Sequence, residues 1–192
     1  MSYKTYTTQA LVCGTFDCNA SDRTYLLLTE MAGMIYATAR SVRKEKSRQR
    51  SALQDFSLIK VSLIKGKYDW RIGSVETEGN YYQRSINREA RINVVNLFRL
   101  LKRLVSGSEP MVGFLSMVTE SLDELAKAET NHKTIWQISQ VRILSYLGYV
   151  DSDKIPKQLM TGSIQKASGI LCPELSKKIH EICIQGTTVS HL

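Results

Sequence analysis

Six cations fall within eleven residues of this chain: Arg40, Arg43, Lys44, Lys46, Arg48 and Arg50, opposed by Glu45. Cations this closely spaced neutralise phosphates, and Ser41, Ser47 and Ser51 add short hydroxyl donors for phosphate oxygens. Nothing in the segment forms a pattern that reads base edges, so binding independent of sequence is expected. A second cluster follows, with Arg84, Arg88, Arg91, Arg99, Lys102 and Arg103 against Glu89. On an unbroken helix, Arg84, Arg88, Arg91, Arg99 and Lys102 fall within about 80° of one another. The apolar positions centre on another side, which leaves a basic stripe; a helix starting near Ile86 would detach Arg84.

These two clusters hold the whole of the chain's +8 charge, which comes from 26 Lys and Arg against 18 Asp and Glu. Excess charge gathered in this way marks a surface that meets a polyanion. The competing reading is a pair of solvated charge clusters. Preference for single strands depends on aromatic rings, because bases stack on them. Tyr36 shares the Arg40 side of its strand and is the candidate ring. Trp70 shares a face with Ile72 and reads as core, while Phe56 and Tyr68 have no assigned role.

Catalytic chemistry is not indicated. There is no Gly-x-x-x-x-Gly-Lys-Ser/Thr loop and no Gly-x-Gly-x-x-Gly. His132, His180 and His191 stand far apart, in no hydrolytic zinc setting. Glu76 and Glu78 read as a solvated strand edge. Cys13, Cys18, Cys172 and Cys183 lack C-x2-C spacing and read as small hydrophobes, neither metal ligands nor disulfides. No catalytic residue, metal or cofactor is expected.

The elements that position these cations change period partway along the chain. Residues 8–16, 23–29, 34–40, 56–64 and 68–75 alternate as strands, with turn-forming Asp17 to Asp22 after the first and Gly66-Lys67 before the fifth. Five short strands in so few residues suggest a small closed barrel. From Asn80 the apolar residues recur at three and four. One helix carries Val94, Leu97, Phe98, Leu101 and Leu104. A second is expected to begin at Pro110. A third is capped by the Asn131 side chain and ended by Gly148, and a last one starts at Pro173. Residues 151–172 read as loop with a short helix. The fold class is α+β: a five-stranded barrel in residues 1–79, then an all-helical domain in residues 80–192. At 192 residues and 43% hydrophobic the chain can bury a core, and no apolar run approaches the roughly 20 residues of a membrane span. With no leader-like apolar segment at the start, a cytoplasmic location is expected.

Several stretches together resemble the RecO family of bacterial recombination mediators. They are Thr7 to Phe16, Ser21-Asp22-Arg23, Leu28-Thr29-Glu30 with Gly33, Ala39-Arg40-Ser41-Val42-Arg43 with Ser47, and Ala52-Leu53-Gln54-Asp55-Phe56. Farther on, Arg142 to Tyr149 is similar to the family's helical segment ending in Leu-Gly-Tyr. Ser41 stands where the family usually has Gly, and Asp55 where it usually has Pro. Some relatives carry a four-cysteine zinc module after this point; with only Cys172 and Cys183 there, zinc is not expected. The resemblance implies an oligonucleotide-binding (OB) barrel and binding of single- and double-stranded DNA. It also implies annealing of complementary strands, partnership with RecR, and engagement of the acidic C-terminal tail of single-stranded DNA-binding protein. Help in loading RecA is implied too. Arg142 or the Arg84–Arg91 stripe would be the tail's acceptor. The alternatives are a protein-interaction adaptor and an RNA-binding barrel.

Overall fold

The computed structural model describes residues 4–67 and 69–189. Tyr68 and His191, both named above, lie outside the described residues. Five strands close into a barrel in the order β1-β2-β3-β5-β4, with β1 Thr5–Asp17, β2 Arg23–Thr29, β3 Gly33–Ala39, β4 Ser57–Lys65 and β5 Trp70–Asn80. This is the OB-fold, and a helical region follows it. The pairings are antiparallel except β3 with β5, a parallel contact limited to Ala37↔Trp70 and Thr38↔Arg71.

Alternation along the strands builds the interior. Val12, Leu27, Ile35, Ala37, Ile59, Val61 and Leu63 face inward and are buried. Val42 and Leu53 of the β3–β4 loop join the same core, so the basic loop is anchored at both ends by apolar side chains. Trp70 packs against this core only partly and meets Tyr6 edge-on, with ring centroids 5.6 Å apart.

The chain forms two compact units: residues up to Arg84 with Val105–Leu115, and Ser85–Leu104 with the residues from Ser116 on. Asn80 to Arg84 and the segment 105–115, grouped with the helices in the sequence reading, cluster with the barrel. Helix α1 (Tyr81–Arg84) follows β5 directly; Asn80 Oδ1 accepts from Gln83 N at 3.0 Å and caps it. The segment 105–115 is laced to the β2–β3 hairpin. Met34 N donates to Gly107 O at 3.0 Å and Met111 N to Glu30 O at 2.9 Å. Gly33 is required here: its φ is +56°, and a Cβ would come within 2.7 Å of Glu109 O and 2.8 Å of Gly107 O.

The second unit holds α2 (Arg88–Leu104), α4 (His132–Tyr146), α5 (Lys157–Met160), α6 (Ile164–Ser168) and α7 (Pro173–Val189). Most of α3 (Phe114–Lys127) belongs to it as well. Helix α4 is the hub, packed by α2, α5, α6 and α7, and buried on several sides through Ile135, Ile138, Val141, Ile143 and Leu144. Its end follows the expected form. Gly148 has φ +78°; its N–H reaches Ser145 O at 3.0 Å and that of Tyr149 reaches Leu144 O at 2.9 Å, the paired bonds of a Schellman cap.

Two helix starts differ from expectation. Helix α3 begins at Phe114, not Pro110, because Gly113 at φ +75° interrupts the backbone just before it. Asn131 does not cap α4 through its side chain: it sits at φ 59°, left-handed, and makes no side-chain cap bond.

Candidate nucleic-acid interface

On the outward side of β1, β2 and β3, Leu11, Leu28 and Met34 are buried, while the other half of the face is open. There Phe16 is 46% and Tyr36 60% exposed, and their ring centroids lie 5.8 Å apart. Between them the threonines of β2 and β3 meet, Thr24 Oγ1 to Thr38 Oγ1 at 3.2 Å. The parity of Tyr36 is as predicted. Phe16 is the ring that sequence reasoning missed. Strict alternation puts residue 16 on the core side with Ala10 and Val12, but the pairing shifts between Val12 and Gly14. That bulge turns the rest of β1 over, so Phe16 pairs with Thr24 on the outer face. Gly14 within a strand was the available signal.

The basic loop rises beside this face and is braced by the β1–β2 turn. Asp22 Oδ1 accepts from Ser41 N at 2.7 Å, and Ser21 O accepts from Arg43 N at 3.0 Å. The Ser41 N–H, then the Asn19 amide, hold the Asp22 carboxyl below its usual value. Arg43 is partly engaged: its Nη1 donates to Asn19 O at 2.8 Å and lies 3.7 Å from Asp17. Asp17 also pairs with Arg23 at 2.8 Å and holds that guanidinium above its usual value. Arg40, Lys44, Lys46, Arg48 and Arg50 are exposed. Arg50 and Arg23 line an open groove of about 730 Å³ that includes Phe16. Phe16 therefore shares one groove of the barrel unit with Arg23 and Arg50.

The second cluster is divided. Helix α1 ends at Arg84 and α2 begins at Arg88, so Arg84 is not part of the stripe. Asn87 sets the break: its Oδ1 accepts from Ala90 N at 2.8 Å and caps α2. Arg84 lies in the barrel unit, with its guanidinium 4.0 Å over the Tyr81 ring. Arg88, Arg91, Arg99 and Lys102 are exposed on α2, opposite the buried Ala90, Val94, Leu97, Phe98 and Leu101. Arg103 bonds to Thr187 O at 3.1 Å.

Arg142 is not an accessible acceptor for an acidic tail. Its side chain is 4% exposed and 3.8 Å from Glu120. Its Nε donates to Leu159 O at 2.8 Å, and Nη2 donates to Gly162 O at 3.0 Å. Burial lowers its pKa, with Glu120 opposing. The guanidinium pins the 159–162 backbone to α4.

Residues 1–77 match the family model described as recombination protein O, N terminal. The barrel is thus similar to RecO N-terminal domains. DNA repair protein RecO of Acetivibrio thermocellus is 22% identical to this chain over 142 residues, covering 74% of the chain and 57% of that relative. The chain thus aligns with little more than half of the relative's length. Within this barrel, the two departures noted in the loop each have a visible setting. Ser41, where the family usually has Gly, keeps a left-handed φ of 54°. Asp55, where the family usually has Pro, accepts from Thr15 Oγ1 at 2.6 Å. Among the described residues, no group of three or more His, Cys, Asp or Glu is placed to hold a metal ion, and no helix is long and apolar enough to cross a membrane.

Proposed function

We propose that this chain acts in DNA repair and recombination as a RecO-type mediator, binding DNA without sequence preference through the open face of its barrel. The observation that carries the reading is the exposed Phe16–Tyr36 pair beside the cations of the 40–50 loop. Rings offer a stacking platform that tolerates any base, and cations track the backbone. The wet side of α2, with Arg88 and Arg91, supplies a second set of phosphate contacts. Strands whose charge is neutralised lose mutual repulsion, so complementary strands anneal without nucleotide hydrolysis. RecR, the tail of single-stranded DNA-binding protein and, indirectly, RecA are the partners the family reading brings.

A salt titration of single-stranded oligonucleotide binding tests the proposal. With about six phosphates neutralised, log K falls with log salt at a slope near −4. A slope near zero overturns the reading. Annealing of complementary strands coated with single-stranded DNA-binding protein tests the mediator step, and no acceleration by the chain removes it.

A further inference from the structure

The parallel contact between β3 and β5 ends after two residue pairs. Beside it, Gln49 of the basic loop donates from Nε2 to Gly73 O at 2.8 Å. A pocket of about 410 Å³ lies here, lined by Arg40, Gln49, Ile64, Gly66, Arg71, Ile72 and Gly73. Its size falls within the range of ordinary ligand sites. Two features give it a chemistry. Its lining combines two isoleucines and two glycines with two arginines and Gln49. Arg71 uses its Nε on Asp69 at 3.4 Å, which leaves its terminal nitrogens available. Arg40 is exposed at the start of the loop.

Position matters as much as lining. Arg71 pairs with Thr38 across the parallel contact, and Thr38 meets Thr24, the residue paired with Phe16. The Arg71 side of the pocket therefore adjoins the outer face that carries the Phe16–Tyr36 rings, whereas Ile72 belongs to the barrel core. The pocket differs from that platform in one respect: among the described residues, no aromatic ring lines it.

We infer that this pocket holds one nucleotide unit, its base against Ile64, Ile72 and Gly73 and its phosphate between Arg40 and Arg71. The unit comes from a strand lying across the barrel, which has to offer that base unpaired; a free nucleoside monophosphate carries the same chemistry. The inference rests on the DNA-binding reading and adds to it a seat for a single extruded base. Guanidinium forks suit a phosphate geometrically, and a base in an apolar slot needs no sequence-reading contacts.

The test uses an oligonucleotide carrying 2-aminopurine at one position. Stacked on its neighbours or on an aromatic ring this base is dim; unstacked against aliphatic side chains it brightens. The wild-type chain is expected to brighten it. Gly73→Val fills part of the pocket: a Cβ at Gly73 fits in ordinary van der Waals contact with the Ile64 side chain at 3.5 Å, and the branched methyl groups take space that a base would need. It removes no charge and sits on a strand, so it should abolish brightening and leave the salt slope unchanged. Arg71→Gln is the second variant, should Gly73→Val melt early, and is expected to give the same loss. A second arm titrates deoxyadenosine monophosphate alone. Binding of the monophosphate that Gly73→Val removes, with strand brightening equal in both proteins, assigns the pocket to free nucleotides. Equal brightening together with no monophosphate binding overturns the pocket and leaves DNA binding standing. Failure of the wild-type chain to bind the oligonucleotide at all overturns the DNA-binding reading itself.

Discussion

Asp22 takes the backbone N–H of Ser41 at 2.7 Å, and through this bond the turn after β1 holds the start of the basic loop. The bond favours the charged carboxylate, so the Asp22 pKa lies below its ordinary 3.8 in the folded chain. A carboxyl with a depressed folded pKa contributes stability that is complete above the unfolded value. That contribution is lost as pH falls through the lower folded value. Melting temperatures across the acid range should therefore fall less steeply below pH 3.8 in Asp22→Asn than in the wild type. Parallel acid limbs for the two proteins would contradict this role.

The Phe16–Tyr36 pair is exposed, so its removal should be felt in binding more than in folding. Stacking is worth about 1–3 kcal/mol per base, which is about 5- to 150-fold in affinity for Phe16→Ala or Tyr36→Ala. Fluorescence anisotropy on a single-stranded oligonucleotide checks this, with melting temperatures as the control. Because the rings touch, the double variant should lose less than the sum of the two single losses. Unchanged affinity in both single variants removes the rings from the interface.

Arg142 should be a stability residue. Its truncation to Ala leaves the carbonyls of Leu159 and Gly162 without their donor, and the lost charged hydrogen bonds are worth about 2–3 kcal/mol. Arg142→Lys should recover little, since one ammonium cannot span the same carbonyls. Urea unfolding followed by helical circular dichroism measures the difference. A loss below about 1 kcal/mol, the scale of one neutral hydrogen bond, would contradict the assignment.

The four thiols should divide by exposure. Burial pushes the Cys183 thiol up to about 11, and Cys13 is buried as well, whereas Cys18 and Cys172 are exposed. Since the thiolate is the reactive form, maleimide near neutral pH should label two sites quickly in the native protein. All four should label in urea. Fast native labelling of Cys183 would show that the helical unit opens around α7.

The parts of this molecule governed by one local rule were legible in the sequence. Alternation placed Ile35, Ala37 and Ala39 inside and Tyr36 outside; three-and-four spacing gave α2 its buried and basic sides. What escaped were positions where a single residue resets the rule. The bulge before Gly14 turned Phe16 outward. Asn87, by capping α2, cut the presumed stripe and left Arg84 with the barrel. Gly113 delayed α3 past Pro110. Arg142 was hidden for another reason: a helix surrounded on several sides has no wet face, so its lone guanidinium had to find backbone carbonyls, and spacing alone does not show which loop supplies them.

Gly33 has a bearing on how this molecule can be dissected. Its bare backbone lets residues 107–109 lie flush on the hairpin, so the barrel's outer wall is completed by chain that returns only after α2 has been made. A fragment excised at Arg84 would include every strand and still lack that clasp, with Met34 N and Glu30 O left to water. The barrel unit is thus discontinuous in sequence, and during synthesis it waits for its last staple until the first long helix has already left the ribosome.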